Sequence, residues 1–169
     1  DDLNYSGTSS PNLTISGTPV SFNNYRYRVN VGSACIAVPS AAAVLTVNAN
    51  PTPAIIGDGS FPLVCGGSEM QLNGNPTGGS GSYTTHSWIG DIIPLDAFNI
   101  QQPVFSSMIN GTYNLIYTVT DSKGCKGADT VAINNDRPNS QFTSDAVPAC
   151  GVLTVNFTNT STRAVSYIW

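Results

Sequence analysis

Asn110-Gly-Thr-Tyr-Asn-Leu-Ile-Tyr-Thr-Val-Thr-Asp-Ser-Lys-Gly-Cys125 reads as a single β-strand that runs into a tight turn. Tyr113, Leu115, Tyr117 and Val119 share one face; Asn114, Thr118 and Thr120 share the other, with Ile116 the one apolar residue on the polar side. A period of two marks a strand with one face buried. Asp121-Ser-Lys-Gly124 then supplies residues that favour turns. The pattern has an earlier counterpart. Tyr25, Tyr27, Val29 and Val31 alternate with Arg26, Arg28 and Asn30, and Gly32-Ser-Ala-Cys35 follows.

Composition sets the class. Of 169 residues only 9% are charged, against about 25% in ordinary soluble proteins. Polarity comes from Ser, Thr, Asn and Gly, and 16 Gly with 11 Pro supply frequent turns. That mixture suits extracellular all-β domains of short strands. Six Lys+Arg and a net charge of −4 argue against nucleic acid, which needs a clustered basic surface. No apolar run approaches the roughly 20 residues of a membrane span, and no signal peptide is present. The four cysteines stand singly beside one His, a poor set for zinc. Disulfides fit better and imply an oxidising compartment. Cys65 and Cys125 are the expected pair, contributing on the order of 4 kcal/mol by loop closure. Cys35 and Cys150 either pair with each other or, preferably, with missing parts of their own domains.

Taken in order, residues 1–50 read as the C-terminal half of a β-sandwich. Asn12–Ser16, the Tyr/Val strand and Ala43–Val47 are its strands, and Tyr25 stands where a tyrosine corner belongs. Asn48-Ala-Asn-Pro-Thr-Pro53 reads as a linker. Residues 51–136 form a complete sandwich, with strands expected at 54–56, 69–73, 83–88, 104–108, 113–120 and 129–133 and with Trp88 in the core. Asn75–Ser82 is a flexible turn, and 91–102 an irregular connection. Asn134-Asn-Asp-Arg-Pro138 is a second linker. Residues 137–169 open a further domain in which Cys150 and Trp169 take the places of Cys65 and Trp88. The chain thus reads as a window on a longer tandem array, with incomplete domains at both ends.

Candidate sites are sparse. His86 with Asp91 or Asp96 is the nearest thing to an acid–base pair, but no nucleophile frame accompanies it. Asp91, Asp96 and Asp121 come from loops with nothing to raise one pKa for glycoside cleavage. Asp58, Asp91, Asp96, Asp121, Asp129 and Asp136 lie near loops or linkers. They suit calcium or, better in the absence of a D-x-D-x-D run, simple capping of turns. Tyr25, Tyr27, Tyr113, Tyr117, Trp88 and Trp169 alternate inward, as core rather than as a sugar platform. Arg26 and Arg28 form a solvated face. No enzymatic activity is expected.

Asn110-Gly-Thr-Tyr113…Tyr117-Thr-Val-Thr-Asp-Ser-Lys-Gly-Cys125 resembles the closing half of PKD-like domains and related immunoglobulin-like repeats of large bacterial surface proteins. Cys150–Ser161 with Tyr167-Ile-Trp169 resembles a PKD opening. Tyr5-Ser-Gly7, Asn12–Ile15, Tyr25–Arg28, Cys35 and Ala43–Val47 are similar to Ig-like repeats of giant adhesins from gliding Bacteroidota. His86-Ser-Trp-Ile-Gly-Asp91 matches the PKD pattern Trp-x-Phe-Gly-Asp-Gly only loosely. The resemblance implies tandem immunoglobulin-like/PKD-like β-sandwiches in a type 9 secretion substrate at the cell surface. It implies a non-catalytic structural or adhesive role in adhesion or gliding motility. Its partners would be neighbouring repeats, surface glycans, host or substratum, and secretion or motility machinery. Asp129-Thr-Val131 resembles a Bacteroidota O-glycan acceptor at Thr130. In that setting Asn12, Asn110 and Asn156 are strand-edge residues rather than glycan sites. The competing expectation is a spacer array on a secreted hydrolase of chitinase or protease type.

Overall fold

A computed structural model describes residues 3–148 and 150–169, so positions 1, 2 and 149 lie outside it. The chain is all-β; apart from one 3-10 turn at Val20–Phe22, no helix occurs among the described residues. Before the central region lie β1 (Tyr5–Ser6), β2 (Thr14–Ile15), β3 (Arg26–Tyr27), β4 (Asn30–Gly32), β5 (Ala37–Pro39) and β6 (Ala43–Val44). The central region holds β7 (Pro51–Thr52), β8 (Ile56–Gly57), β9 (Leu63–Cys65), β10 (Glu69–Asn73) and β11 (Thr77–Gly78). It continues through β12 (Tyr83–Gly90), β13 (Val104–Ser106), β14 (Gly111–Asp121) and β15 (Lys126–Asp136). Beyond it come β16 (Phe142–Ser144) and β17 (Phe157–Asn159).

Two sheets enclose the core. One has the order β13-β10-β8; the other has the order β12-β14-β15-β9, with β9 parallel to β15 and the other pairs antiparallel. Met70 and Leu72 from β10 and Phe105 from β13 meet Trp88, Leu115, Tyr117, Val119, Ile133 and Val64 from the second sheet. The alternation of β14 explains why it lies at the centre. Leu115, Tyr117 and Val119 are fully buried, while Asn114 on the opposite face is exposed. The Tyr117 ring packs on the backbone of Gly74, where any Cβ would collide with it. Gly127 similarly lets the start of β15 lie against the carbonyl of Pro51. Every buried side chain among the described residues belongs to the central region.

Several expectations change. Pro51 and Pro53 are buried, and Pro51–Thr52 pairs with Thr77–Gly78. The first supposed linker is therefore partly strand. Asn134-Asn135-Asp136 likewise continues β15, because β9 pairs with it there in register Asn134↔Leu63 to Asp136↔Cys65. The Tyr25–Val31 strand is broken into β3 and β4, which take different partners, β6 and β5. Residues 165–169 form no strand. The tie expected of Tyr25 is made instead by Tyr113, whose hydroxyl donates to Ile109 O at 2.9 Å. The Tyr25 ring stacks on Phe22 with centroids 4.9 Å apart.

Candidate functional site

The polar chemistry of the central region collects at the two ends of β15. At its start, the Asp121 carboxylate is 2% exposed. Its Oδ1 accepts the backbone N–H of Lys123 and of Cys125 at 2.9 Å each, and its Oδ2 accepts that of Ser80 at 2.8 Å. Burial pushes the carboxyl up, but the N–H donors of Ser80, Cys125 and Lys123 outweigh it, and the net pKa is lowered. The Asn75–Ser82 turn is thereby fastened to the β14–β15 turn, and Ser80 Oγ and Ser122 Oγ add a bond of 3.0 Å. Cys125 Sγ lies 4.0 Å from the carbonyl of Asn48, so this pole receives the chain arriving from residues 3–47.

At the other end, Asn135 is 2% exposed and donates through Nδ2 to the carbonyls of Ser107 and Ile109, at 3.0 and 2.7 Å. Its Oδ1 is buried without a partner. Gly66 N–H donates to Asp136 O at 2.8 Å. Arg163 reaches back from the last region to Asp136 at 2.7 Å, a half-exposed ion pair. Such pairs contribute little to stability, but this one marks where residues 137–169 adjoin the central region.

The Cys65–Cys125 bridge is not made, and the sheet explains why. Cys65 stands opposite Asp136 at one end of β15, and Cys125 precedes Lys126 at the other. Eleven strand residues lie between these ends, roughly 35 Å at 3.3 Å per residue. A disulfide needs Cα atoms within about 7 Å. Cys35, Cys65, Cys125 and Cys150 are all free thiols.

The aspartates act as backbone acceptors. Asp58 donates its N–H to Gln71 O at 3.2 Å and accepts Gln71 N–H on Oδ1 at 2.9 Å. The same reciprocal bracket joins Asp91 to Asn114, Asp96 to Val104 and Asp145 to Asn156. The Asp145 carboxyl is held low by the Asn156 side-chain amide and backbone N–H. Asp129 Oδ2 accepts Ile55 N–H at 2.7 Å. Asp58, Asp91, Asp96 and Asp145 replace a ladder carbonyl where a strand pair ends, the capping role foreseen for the first three, whereas Asp129 caps Ile55 from within β15. Among the described residues, no three His, Cys, Asp or Glu side chains gather closely enough to hold a metal ion.

His86 faces neither Asp91 nor Asp96 as an acid–base partner. Both carboxylates are engaged by backbone, and His86 Nδ1 lies 2.6 Å from Tyr117 Oη with the rings stacked. Burial lowers the His86 pKa. Burial, followed by the nearby Tyr83, pushes the Tyr117 phenol up to about 12. The Tyr117 proton therefore stays on oxygen through the neutral range. Thr130 is exposed on the outer face of β15, beside an Asp129 that is already committed to Ile55. Arg26 is exposed too. The reciprocal aspartate brackets were not foreseen as pairs; an isolated Asp before a strand signals capping but not which distant N–H it caps.

No protein-family model matches this sequence, and no curated protein matches it.

Proposed function

We propose that the chain is a non-catalytic structural and adhesive repeat segment of a large secreted cell-surface adhesin, built of tandem immunoglobulin-like/PKD-like β-sandwiches. Residues 1–50, 51–136 and 137–169 are then parts of successive repeats. The observation that carries the reading is repetition of construction. Ser33 Oγ accepts the N–H of Cys35 and Ile36 in the β4–β5 turn as Asp121 does for its own turn. The Asp145–Asn156 bracket likewise repeats Asp58–Gln71. The Tyr113 hydroxyl, tied to a carbonyl four residues upstream, supports the reading, since a tyrosine bonded back in this way is a hallmark of Ig-like sandwiches.

In such a stalk, surface hydroxyls and amides keep the chain soluble with few charges, and the polar poles set how one repeat follows the next. Gliding motility, export by type 9 secretion and O-glycosylation at Thr130 extend the same reading.

Antibodies raised against the 169-residue chain test it, applied to intact cells, protease-shaved cells and medium. A surface-attached chain of several hundred kilodaltons that disappears on shaving is the expected result. A modest soluble chain carrying a catalytic domain would make these repeats the spacer of a secreted hydrolase instead.

A further inference from the structure

The two methionines of the sequence occupy opposite environments. Met70 is 3% exposed in the core, whereas Met108, between β13 and β14, is 65% exposed. Open as it is, the Met108 sulfur is held in place. Arg137 Nη1 donates to Sδ at 3.2 Å. On another side the sulfur rests over Gly67, where a Cβ would stand 2.9 Å from it. The Arg137 stem lies over Gly66 in the same way, since a Cβ there would strike it.

These contacts lie at the Asp136 pole, where the turn after β9, residues 107–110 and the end of β15 meet. Gly66 N–H donates to Asp136 O at 2.8 Å and Gly67 N–H to Ser107 O at 2.9 Å. Asn110 Nδ2 donates to Arg137 O at 3.1 Å. Carbonyl oxygens accept in all of these. The Arg137 guanidinium, the one full charge among the donors, is spent on a thioether, which is a weak acceptor. An oxygen on that sulfur would give the guanidinium a charge-assisted N–H···O bond, roughly twice as strong as a neutral one.

We propose that Met108 is a site of oxidation by peroxide, and that Arg137 grips the resulting sulfoxide and tightens this pole. A lone pair of Sδ attacks one oxygen of hydrogen peroxide and forms the S–O bond. The O–O bond breaks, and its electron pair leaves with the other oxygen as hydroxide. That hydroxide takes the proton from the oxygen now on sulfur, which gives the sulfoxide and one water. Sulfur is oxidised by two electrons and the peroxide is reduced. Arg137, already beside the sulfur, places a positive charge where the hydroxide departs. The exposed side chain can then turn its new oxygen toward the guanidinium, joining residues 107–110 to the end of β15 more firmly. Met70 has no such access. The proposal does not depend on adhesion: the same pole would tighten in the spacer of a hydrolase.

Dilute hydrogen peroxide on the full 169-residue chain, followed by peptide mass mapping and NMR-monitored hydrogen exchange, tests it. Met108 should gain one oxygen on the order of tenfold faster than Met70. Met108→Leu, treated identically, carries the same oxidised cysteines but no sulfoxide at position 108, so it isolates the effect of the sulfoxide. Against that variant, the Gly66 and Gly67 amides of the oxidised wild type should exchange roughly threefold more slowly. Arg137→Leu keeps an apolar stem over Gly66 and should abolish the slowing, and circular dichroism melts report that each variant is folded. Equal oxidation of the two methionines overturns the proposal. So does exchange that is unchanged or faster in the oxidised wild type, or slowing that persists in Arg137→Leu.

Discussion

The β14–β15 hairpin and its counterpart at residues 25–45 differ less in sequence than in outcome. Both alternate Tyr and Val with polar residues, and both turn on a side-chain oxygen that accepts two backbone N–H groups. Yet β14 and β15 run as unbroken eleven-residue strands, while the earlier hairpin is divided into pieces of two and three residues. The difference is the second sheet. Leu115, Tyr117 and Val119 are covered by Met70, Leu72 and Phe105, whereas Val29 and Val31 face solvent. An isolated hairpin is marginally stable in water, and a packed opposing layer is what holds a long ladder together. Alternation states which face is to be buried; it does not bury it.

The sharpest way to break this comparison is to remove the same aromatic from each place. Trp88→Ala leaves a large cavity beside Tyr117 and should cost on the order of 4 kcal/mol in urea unfolding of the central region. Trp169→Ala, made on an exposed ring, should leave the same transition within about 0.5 kcal/mol. Equal losses would mean that residues 137–169 are integral to the central core.

Next in size is an alkaline effect confined to the buried hairpin. Folding raises the Tyr117 pKa from 10.0 to about 12, so the folded state holds its proton where the unfolded state has lost it. The stability from this group is complete below pH 10 and is lost as pH rises toward 12, on the order of 3 kcal/mol in all. Unfolding curves across that window should fall more steeply for the wild type than for Tyr117→Phe. The steep limb thus belongs to the central region, which holds Tyr117 in β14.

These tests rest on features legible in the residues to very different degrees. The inward face of β14 and the burial of Trp88 follow from strict alternation, because a period of two leaves one choice of face. Pro51–Thr52 and Leu63–Cys65 had no such signal: strands of two or three residues beside proline are too short to show a period. Asn135 looked like loop because asparagine favours turns, and only the carbonyls of Ser107 and Ile109 explain its burial. Cysteine spacing misled for a related reason. It measures distance along the chain, and Cys65 and Cys125 are separated by the length of a strand that runs between the two poles. For the site, the capping role of the aspartates was legible; their partners, set by sheet register, were not.

The turn caps offer a smaller contrast. Asp121→Ala strips the acceptor from three N–H groups, while Ser33→Ala strips one from two exposed ones. Thermal melts should show a clear drop for the first and little change for the second. The carboxylate adds a pH signature. Its folded pKa is lowered, so its contribution is present above the ordinary carboxylate value and is lost as pH falls through the folded one. Asp121→Ala should flatten that acid limb, and Ser33→Ala should leave it unchanged.

The smallest expected effect is the most local. His86 is partly buried, and burial lowers its pKa below the ordinary 6.5. Its Nδ1 lies 2.6 Å from the Tyr117 hydroxyl. An unfolded chain takes up a proton near pH 6.5, while the folded chain does so only at a lower pH. Stability should therefore fall as pH drops below 6.5 and level off once the folded imidazole also titrates. His is unique in the chain, so His86→Gln should remove this slope while keeping a side-chain acceptor near Tyr117. A slope near pH 6 that survives His86→Gln would place the titrating group elsewhere and detach it from the Tyr117 core.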